Sequence, residues 1–381
     1  MSAQPQTPDV LADLCERSPA YIRAIAPYQP GKPITELARE MGLDEKSIVK
    51  LASNENPMGL SPKAQEAIRR AIPELMRYPD GYALTRALAD RLDVALDQIV
   101  LGNGSNDVLE MVAGAFLAPG RAAVFSQHAF AVYPLATQAR GARSIVVPAK
   151  AYGHDLDAMR AAIAADTRVV FVANPNNPTG TMLEAAALEA FIARVPSDVI
   201  VVLDEAYNEY LAPELRCPSV AWVKRFPNLI VTRTFSKAYG LAGLRVGYAV
   251  CHPEIAALLN RVRQPFNVNN LALDAAVAAL ADQEFVDRSY ALNAAGMQQL
   301  TEGFAKLGLA WIGSFANFVA VELPRKDGAS QAGVVYQKLL RQGVIVRPVT
   351  GYGMPDHLRV TIGLPAENER FLAALAASLG S

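Results

Sequence analysis

Lys237 is the side chain with the most chemistry in reach. It lies between the apolar runs Leu229-Ile230-Val231 and Val246 to Val250, with Thr234, Ser236, Gly240, Gly243 and Arg245 around it. Desolvating a lysine there is costly. Burial lowers its pKa, which frees the amine to attack a carbonyl and form a Schiff base. Two hydroxyls and an arginine suit a phosphate, and the glycines let backbone approach a ligand closely. Pyridoxal phosphate, an aldehyde that carries a phosphate, meets both requirements.

Three further clusters follow apolar runs. After Ile99-Leu101 comes Gly102-Asn103-Gly104-Ser105-Asn106, then a helical pattern with Val108, Leu109, Val112, Ala115 and Phe116 on one face. Glycines before a Ser/Asn cap at a helix start make an anion site from free backbone N–H groups. After Val172 comes NPNNPTG at 174–180, a turn fixed by two prolines and a glycine, in which Asn177 offers a directed amide. After Val199 to Leu203 comes Asp204-Glu205-Ala206-Tyr207. Its acids either cap a following helix or serve a site.

The elements behind these clusters read as an α/β fold. Short buried strands are expected at Ile99-Leu101, Ala122-Phe125, Ile145-Val147, Val169-Ala173, Val199-Leu203, Leu229-Val231 and Tyr248-Val250, with alanine-rich helices between several of them. That alternation predicts a mostly parallel sheet flanked by helices, with ligands outside the strand carboxyl ends. From about 265 the pattern becomes a smaller α+β unit. It has a helical stretch over 271–308, strands at Phe318-Glu322, Val344-Val346 and Leu358-Ile362, and helices at Val334-Arg341 and Glu369-Leu379. Before the sheet, 27–33 reads as an irregular arm and Ile34-Met41 as a helix. Ser61 and Pro62 read as the cap and first residue of another. The expected division is an arm with part of the small domain (1–50), a large domain (51–266) and a small domain (267–381).

Bulk properties narrow the function. The 381 residues are 51% hydrophobic and 19% charged, with a net charge of -1. Such a balance offers no electrostatic case for nucleic acid or an anionic membrane. No apolar run approaches the ~20 residues of a bilayer span. The N-terminus shows no basic segment followed by an apolar one. Cys15, Cys217 and Cys251 form no CxxC pair, and His128, His154, His252 and His357 lack metal-ligand spacing. These features read as a cytoplasmic protein without a metal. A nicotinamide enzyme is disfavoured because Gly102-x-Gly104 lacks the third glycine.

Taken together, NPNNPTG at 174–180, DEAY at 204–207 and TFSKAYGLAGLRVGY at 234–248 resemble the fold-type I, pyridoxal-phosphate-dependent aminotransferases. The motifs occur in that family's order, and the likeness covers nearly the whole chain. PYQPGKP at 27–33, LASNENP at 51–57 and RYPD at 77–80 resemble its histidinol-phosphate branch.

The resemblance implies roles for individual residues. Lys237 would hold the cofactor as a Schiff base and move the substrate proton. Asp204 would pair with the pyridine nitrogen; at ~4 Å and an effective dielectric near 20 such a pair is worth ~4 kcal/mol, or roughly three pKa units. Asn177 and Tyr207 would bond the cofactor's phenolic oxygen, and Phe130 would stack on its ring. Gly104, Ser105, Asn106, Thr234, Ser236 and Arg245 would hold the phosphate, joined by Tyr78 from a neighbouring subunit of a homodimer. The family commonly has an acid where Asn106 stands. Arg359 would grip the substrate α-carboxylate, with Tyr28, Asn54 and Arg347 near the distal end.

The implied reaction transfers an amino group between glutamate and imidazole acetol phosphate in histidine synthesis, by a ping-pong route. Two alternatives use the same machinery: an aromatic amino-acid aminotransferase for phenylalanine or tyrosine, and a phosphothreonine decarboxylase. A non-catalytic regulator is disfavoured because the chain has no room for an added DNA-binding domain.

Overall fold

The computed structural model describes residues 14–380. The reading of the extreme N-terminus as lacking a leader falls partly on residues 1–13, outside the described residues.

Seven strands form the central sheet: β1 (Ile99–Gly102), β2 (Ala122–Ser126), β3 (Arg143–Val147), β4 (Thr167–Ala173), β5 (Ile200–Asp204), β6 (Leu229–Thr234) and β7 (Gly247–Val250). Their spatial order is β1-β7-β6-β5-β4-β2-β3. Only β7 runs against its neighbours, β1 and β6. Apolar residues fill both faces of the central strands. Val170, Val172, Val201, Leu203 and Val231 enter one core, while Val169, Phe171, Ile200, Val202 and Ile230 enter the other. Period-2 alternation into two apolar layers is why these strands read as continuous hydrophobic runs. Each such side chain contributes about 1.5–3 kcal/mol by burial.

The smaller sheet contains β8 (Trp311–Ile312), β9 (Phe318–Glu322), β10 (Arg347–Pro348) and β11 (His357–Thr361), ordered β10-β11-β9-β8 and antiparallel throughout. Its core, built on Val319, Val321, Leu358, Val360, Phe371 and Leu375, is separate from the two large-sheet cores. Residues 25–33 carry no regular structure, and Ile34–Met41 is a helix. Ser61 Oγ accepts from the Ala64 amide at 3.1 Å, with Pro62 in the first turn.

Three local expectations need correction. The stretch 271–308 is two helices, Asn270–Leu280 and Gln283–Lys306. The first packs against Pro62–Ala71 and shares the large-sheet core through Ala272, Ala275, Ala276 and Ala279. The run Val344-Val346 is no single strand. Val344–Ile345 pairs with Val49–Lys50, and Arg347–Pro348 joins the small sheet. Finally, Ser105 and Asn106 do not cap their helix. Gly104 is the N-cap at φ +79°, and Ser105 opens helix Ser105–Phe116.

Among the described residues, no helix is long and apolar enough to cross a membrane. Among the same residues, no group of three or more His, Cys, Asp or Glu side chains could hold a metal ion.

Candidate active site

The cleft lies outside the carboxyl ends of β1, β4, β5 and β6. It encloses about 880 Å³ of empty space, some of it open to solvent. Tyr28, Asn54, Ser105, Asn106, Phe130, Asn177, Asp204, Tyr207, Thr234, Ser236, Lys237, Arg245, Arg347 and Arg359 all line it. Gly104 stands directly beneath Arg245. Tyr78 is the exception: it is exposed on the surface, stacked on Phe266 with ring centroids 4.4 Å apart.

Strand order explains this convergence. Asp204 ends β5 and lies opposite Thr232 of β6, and Thr234 ends β6 opposite Gly247 of β7. The end of β1 lies on the other side of Gly247. A Cβ on Gly247 would lie 2.5 Å from the Ser105 amide nitrogen, so only glycine lets these backbones close up. Arg245 takes a left-handed conformation, φ +60°, and its Nη1 donates to Ser236 Oγ at 3.2 Å. The Ser236 amide donates to Thr234 Oγ1 at 3.1 Å. A Cβ on Gly104 would lie 2.4 Å from Arg245 Nη2. Guanidinium, two hydroxyls and the start of a twelve-residue helix thus surround one concave spot, and a phosphate monoester fits it.

Asp204, also on the wall of the cleft, is 4% exposed. Burial pushes its carboxyl above the ordinary range, and hydrogen bonds from Tyr133, Thr232 and the Ala206 amide oppose that. Tyr133 donates its hydroxyl to Oδ2 at 2.8 Å, and Thr232 donates to Oδ1 at 3.3 Å. Behind the site, Arg233 meets Glu205 Oε2 through Nη2 at 2.8 Å and Nε at 2.9 Å. That buried ion pair ties β6 to the residue after β5.

Lys237 Nζ donates to the Ser53 carbonyl at 3.2 Å. Its pKa is lowered to about 8, chiefly by burial and then by the Arg359 charge, with Arg245 acting in the same direction. The preceding carbonyl, Ala52 O, accepts from Arg359 Nη2 at 3.0 Å. Arg359 Nη1 bonds Asn177 Oδ1, and its buried Nε has no hydrogen-bond partner among the described residues. Arg347 donates Nη2 to the Gln29 carbonyl and lies over the Tyr28 ring, 5.6 Å from its centroid.

Asn54 holds a left-handed backbone, φ +56°, and is 1% exposed. Its Nδ2 donates to the Tyr207 hydroxyl at 2.9 Å, and its Oδ1 accepts from Thr361 at 3.1 Å. Asn54 is therefore placed to hold Tyr207 as well as to line the pocket. Burial pushes the Tyr207 phenol up to about 12.

Sequence reasoning missed Tyr133, Thr232 and Tyr352, which also lines the cleft. Tyr133 stands three residues after Phe130, but Phe130 lies before the helix Val132–Ala139, so helical spacing does not link the two. Tyr352 had no sequence signal either.

A family model for aminotransferase class I and II matches residues 46–375. Histidinol-phosphate aminotransferase 2 of Nitrosospira multiformis is 61% identical over 369 residues, covering 96% of this chain and 93% of that protein. A histidinol-phosphate aminotransferase of Methylobacillus flagellatus is 62% identical over 364 residues, covering 95% and 97%. The crystal structure of histidinol-phosphate aminotransferase from Sinorhizobium meliloti in complex with pyridoxal-5'-phosphate matches with a TM-score of 0.87 at 28% identity, covering 96% of this chain and 98% of that one. With the lysine, the carboxylate and the phosphate-shaped cradle in one cleft, these matches give a single answer: the chain belongs to the class I and II aminotransferases, with the fold-type I architecture and a dependence on pyridoxal phosphate.

Proposed function

We propose that the chain transfers an amino group between L-glutamate and imidazole acetol phosphate, yielding 2-oxoglutarate and L-histidinol phosphate, in histidine biosynthesis. The carrying observation is that Asp204, at the end of β5, and Lys237, in the loop after β6, line one cleft together with Arg347 and Arg359. The relatives above 60% identity are histidinol-phosphate aminotransferases, which favours this substrate over an aromatic amino acid or phosphothreonine.

When bound, pyridoxal phosphate supplies the reactive carbonyl and a ring that withdraws electrons. The chain supplies the rest. Arg245, Ser236, Thr234, Ser105 and Asn106, with Gly104 leaving room, hold the phosphate. Asp204 would pair with the ring nitrogen, Phe130 would cover the ring face, and Asn177 and Tyr207 would hold the phenolic oxygen. Lys237, with its pKa near 8, keeps a usable neutral fraction close to physiological pH. Its amine would hold the cofactor's carbonyl and would accept the proton from the substrate carbon that bears nitrogen. Arg359 offers the substrate anion its Nε, which has no partner among the described residues, and a bidentate grip orients that carbon. Tyr28, Asn54 and Arg347 shape the remaining wall. Because one amino group is handed over before the second substrate arrives, the kinetics are ping-pong.

This reading extends to the assembly. Tyr78 lies outside its own cleft and is 80% exposed, next to exposed Met76 and Phe266. In our reading this surface belongs to a homodimer in which Tyr78 reaches the neighbour's phosphate site. The large unit is taken as 51–266 and the small unit as 267–381 with 1–50 split between arm and small unit, helix Asn270–Leu280 being lent to the large core. We place the enzyme in the cytoplasm.

The deciding experiment compares kcat/KM for histidinol phosphate, phenylalanine and tyrosine. Preference for histidinol phosphate is expected; a tenfold preference for an aromatic amino acid would replace it with the aromatic activity.

A further inference from the structure

Tyr133 is fully buried on the helix Val132–Ala139, facing the sheet. Its ring stacks on Phe171 of β4, with centroids 4.7 Å apart and planes within 7°. Phe130 packs on its edge at 5.9 Å and 87°. The packing locks the ring, so its hydroxyl has one place to point, and that place is Asp204 Oδ2 at 2.8 Å. Burial beside that carboxylate pushes the phenol well above its ordinary range. The phenol therefore keeps its proton and serves as donor at every working pH.

Asp204 needs such a donor. Other titratable groups around it are Glu205 on its own strand end, Tyr207, and Lys237 from the loop after β6. Glu205 works against its charge and is itself paired with Arg233. Thr232 adds a weaker contact at 3.3 Å. A buried carboxylate in apolar surroundings otherwise takes up a proton. A protonated carboxyl is no partner for a cationic ring.

We propose that Tyr133 is a positioning residue whose hydroxyl holds Asp204 as the charged, correctly aimed partner of the cofactor's ring nitrogen. The proposal rests on the role given to Asp204 above. It predicts a defined effect of removing one oxygen atom. Tyr133→Phe keeps the stack on Phe171 and deletes only the hydrogen bond.

The test titrates apoprotein with pyridoxal phosphate, followed by protein fluorescence, from pH 5 to pH 9. The glutamate half-reaction is measured alongside. Without the donor, Asp204 takes up its proton at higher pH. The acidic limb of cofactor affinity then moves upward in pH. The dissociation constant rises about tenfold to a hundredfold at pH 6, as for loss of one hydrogen bond to a charged group, and converges on wild type by pH 9. The kcat falls by about tenfold or more while KM for glutamate stays within about twofold. A limb that superposes on wild type, or an affinity loss equal at all pH values, makes Tyr133 a packing residue and overturns the proposal. Should Tyr133→Phe fail to fold, Thr232→Val is to move the limb the same way by less, and no movement there overturns it too. Wild-type protein that binds no cofactor removes both this proposal and the function above. Normal wild-type binding with an unchanged variant removes this proposal alone.

Discussion

Arg347 and Arg359 are register partners, opposed across the antiparallel strands β10 and β11. Directly opposed residues present their side chains on one face, and both of these line the cleft. Two guanidinium groups on one wall repel each other, and the Arg347 charge contributes to lowering the Arg359 pKa, after burial. Each is steadied by a different group: Arg347 by the Gln29 carbonyl and the Tyr28 ring, Arg359 by Asn177 and Ala52. A dianionic substrate relieves the repulsion.

These two arginines should separate by substrate. Arg359→Lys loses the planar fork. Steady-state kinetics are expected to show kcat/KM for glutamate down by about tenfold to a hundredfold, the range for one or two charge-assisted bonds. Arg347→Ala should reduce kcat/KM for histidinol phosphate far more than for phenylalanine. An equal loss on both would make Arg347 a structural residue.

Lys237 makes a prediction about covalent capture. Borohydride reduction in the presence of pyridoxal phosphate should fix one cofactor mass on the peptide that contains Lys237. In Lys237→Ala that mass disappears and the half-reaction with glutamate is lost. Capture on another lysine, or retained turnover, would assign the base elsewhere.

The same lysine ties stability to pH. Its folded pKa, about 8, lies below the ordinary lysine value of 10.5. Between these values the unfolded chain binds more protons than the folded one, so this group's contribution to stability rises with pH across that window. Below about pH 8 the buried cation costs the apoprotein on the order of 1–3 kcal/mol. Lys237→Met should therefore raise the apoprotein's denaturant midpoint at pH 7 and lose that advantage towards pH 10.5. A pH-independent difference would show that the amine is not desolvated.

The Arg233–Glu205 pair predicts an asymmetry. Arg233→Met leaves Glu205 buried without its cation and should cost about 3–5 kcal/mol in urea melts. Adding Glu205→Gln should recover much of that loss, because the stranded charge is gone.

Gly104→Ala tests the cradle. The added methyl meets the Arg245 guanidinium, and φ +79° disfavours any L side chain. Strain of about 1–3 kcal/mol is expected, read as cofactor affinity weaker by roughly tenfold to a hundredfold in apoprotein titration. Unchanged affinity would move the phosphate elsewhere.

Much of this site was legible because chemistry in this fold follows strand ends. The runs before Gly102, Asn174, Asp204 and Thr234 are apolar on both faces, so their ends could be found, and the polar residues after them fell into one cleft. What escaped notice depends on contacts between distant segments. Val344-Val346 reads as one strand, yet pairing with Val49–Lys50 stops at Ile345 and the small sheet takes over at Arg347. The 271–308 stretch has no proline at the break near Asp282, only a change in packing partner. Gly104 replaced Ser105 as cap because Gly247 and Arg245 press on that turn. Asn54 was expected to serve the substrate, and its bonds to Tyr207 and Thr361, 153 and 307 residues away, have no sequence signal.

Neighbouring carbonyls, Ala52 and Ser53, receive Arg359 and Lys237. Consecutive residues are held about 3.8 Å apart by covalent geometry. One peptide unit therefore acts as a ruler between the group proposed to grip the substrate and the group proposed to deprotonate it. The ruler belongs to neither sheet, since it follows the Val49–Lys50 strand that runs beside Val344–Ile345. Were the two lobes to shift during turnover, grip and base would stay in step because they share this gauge.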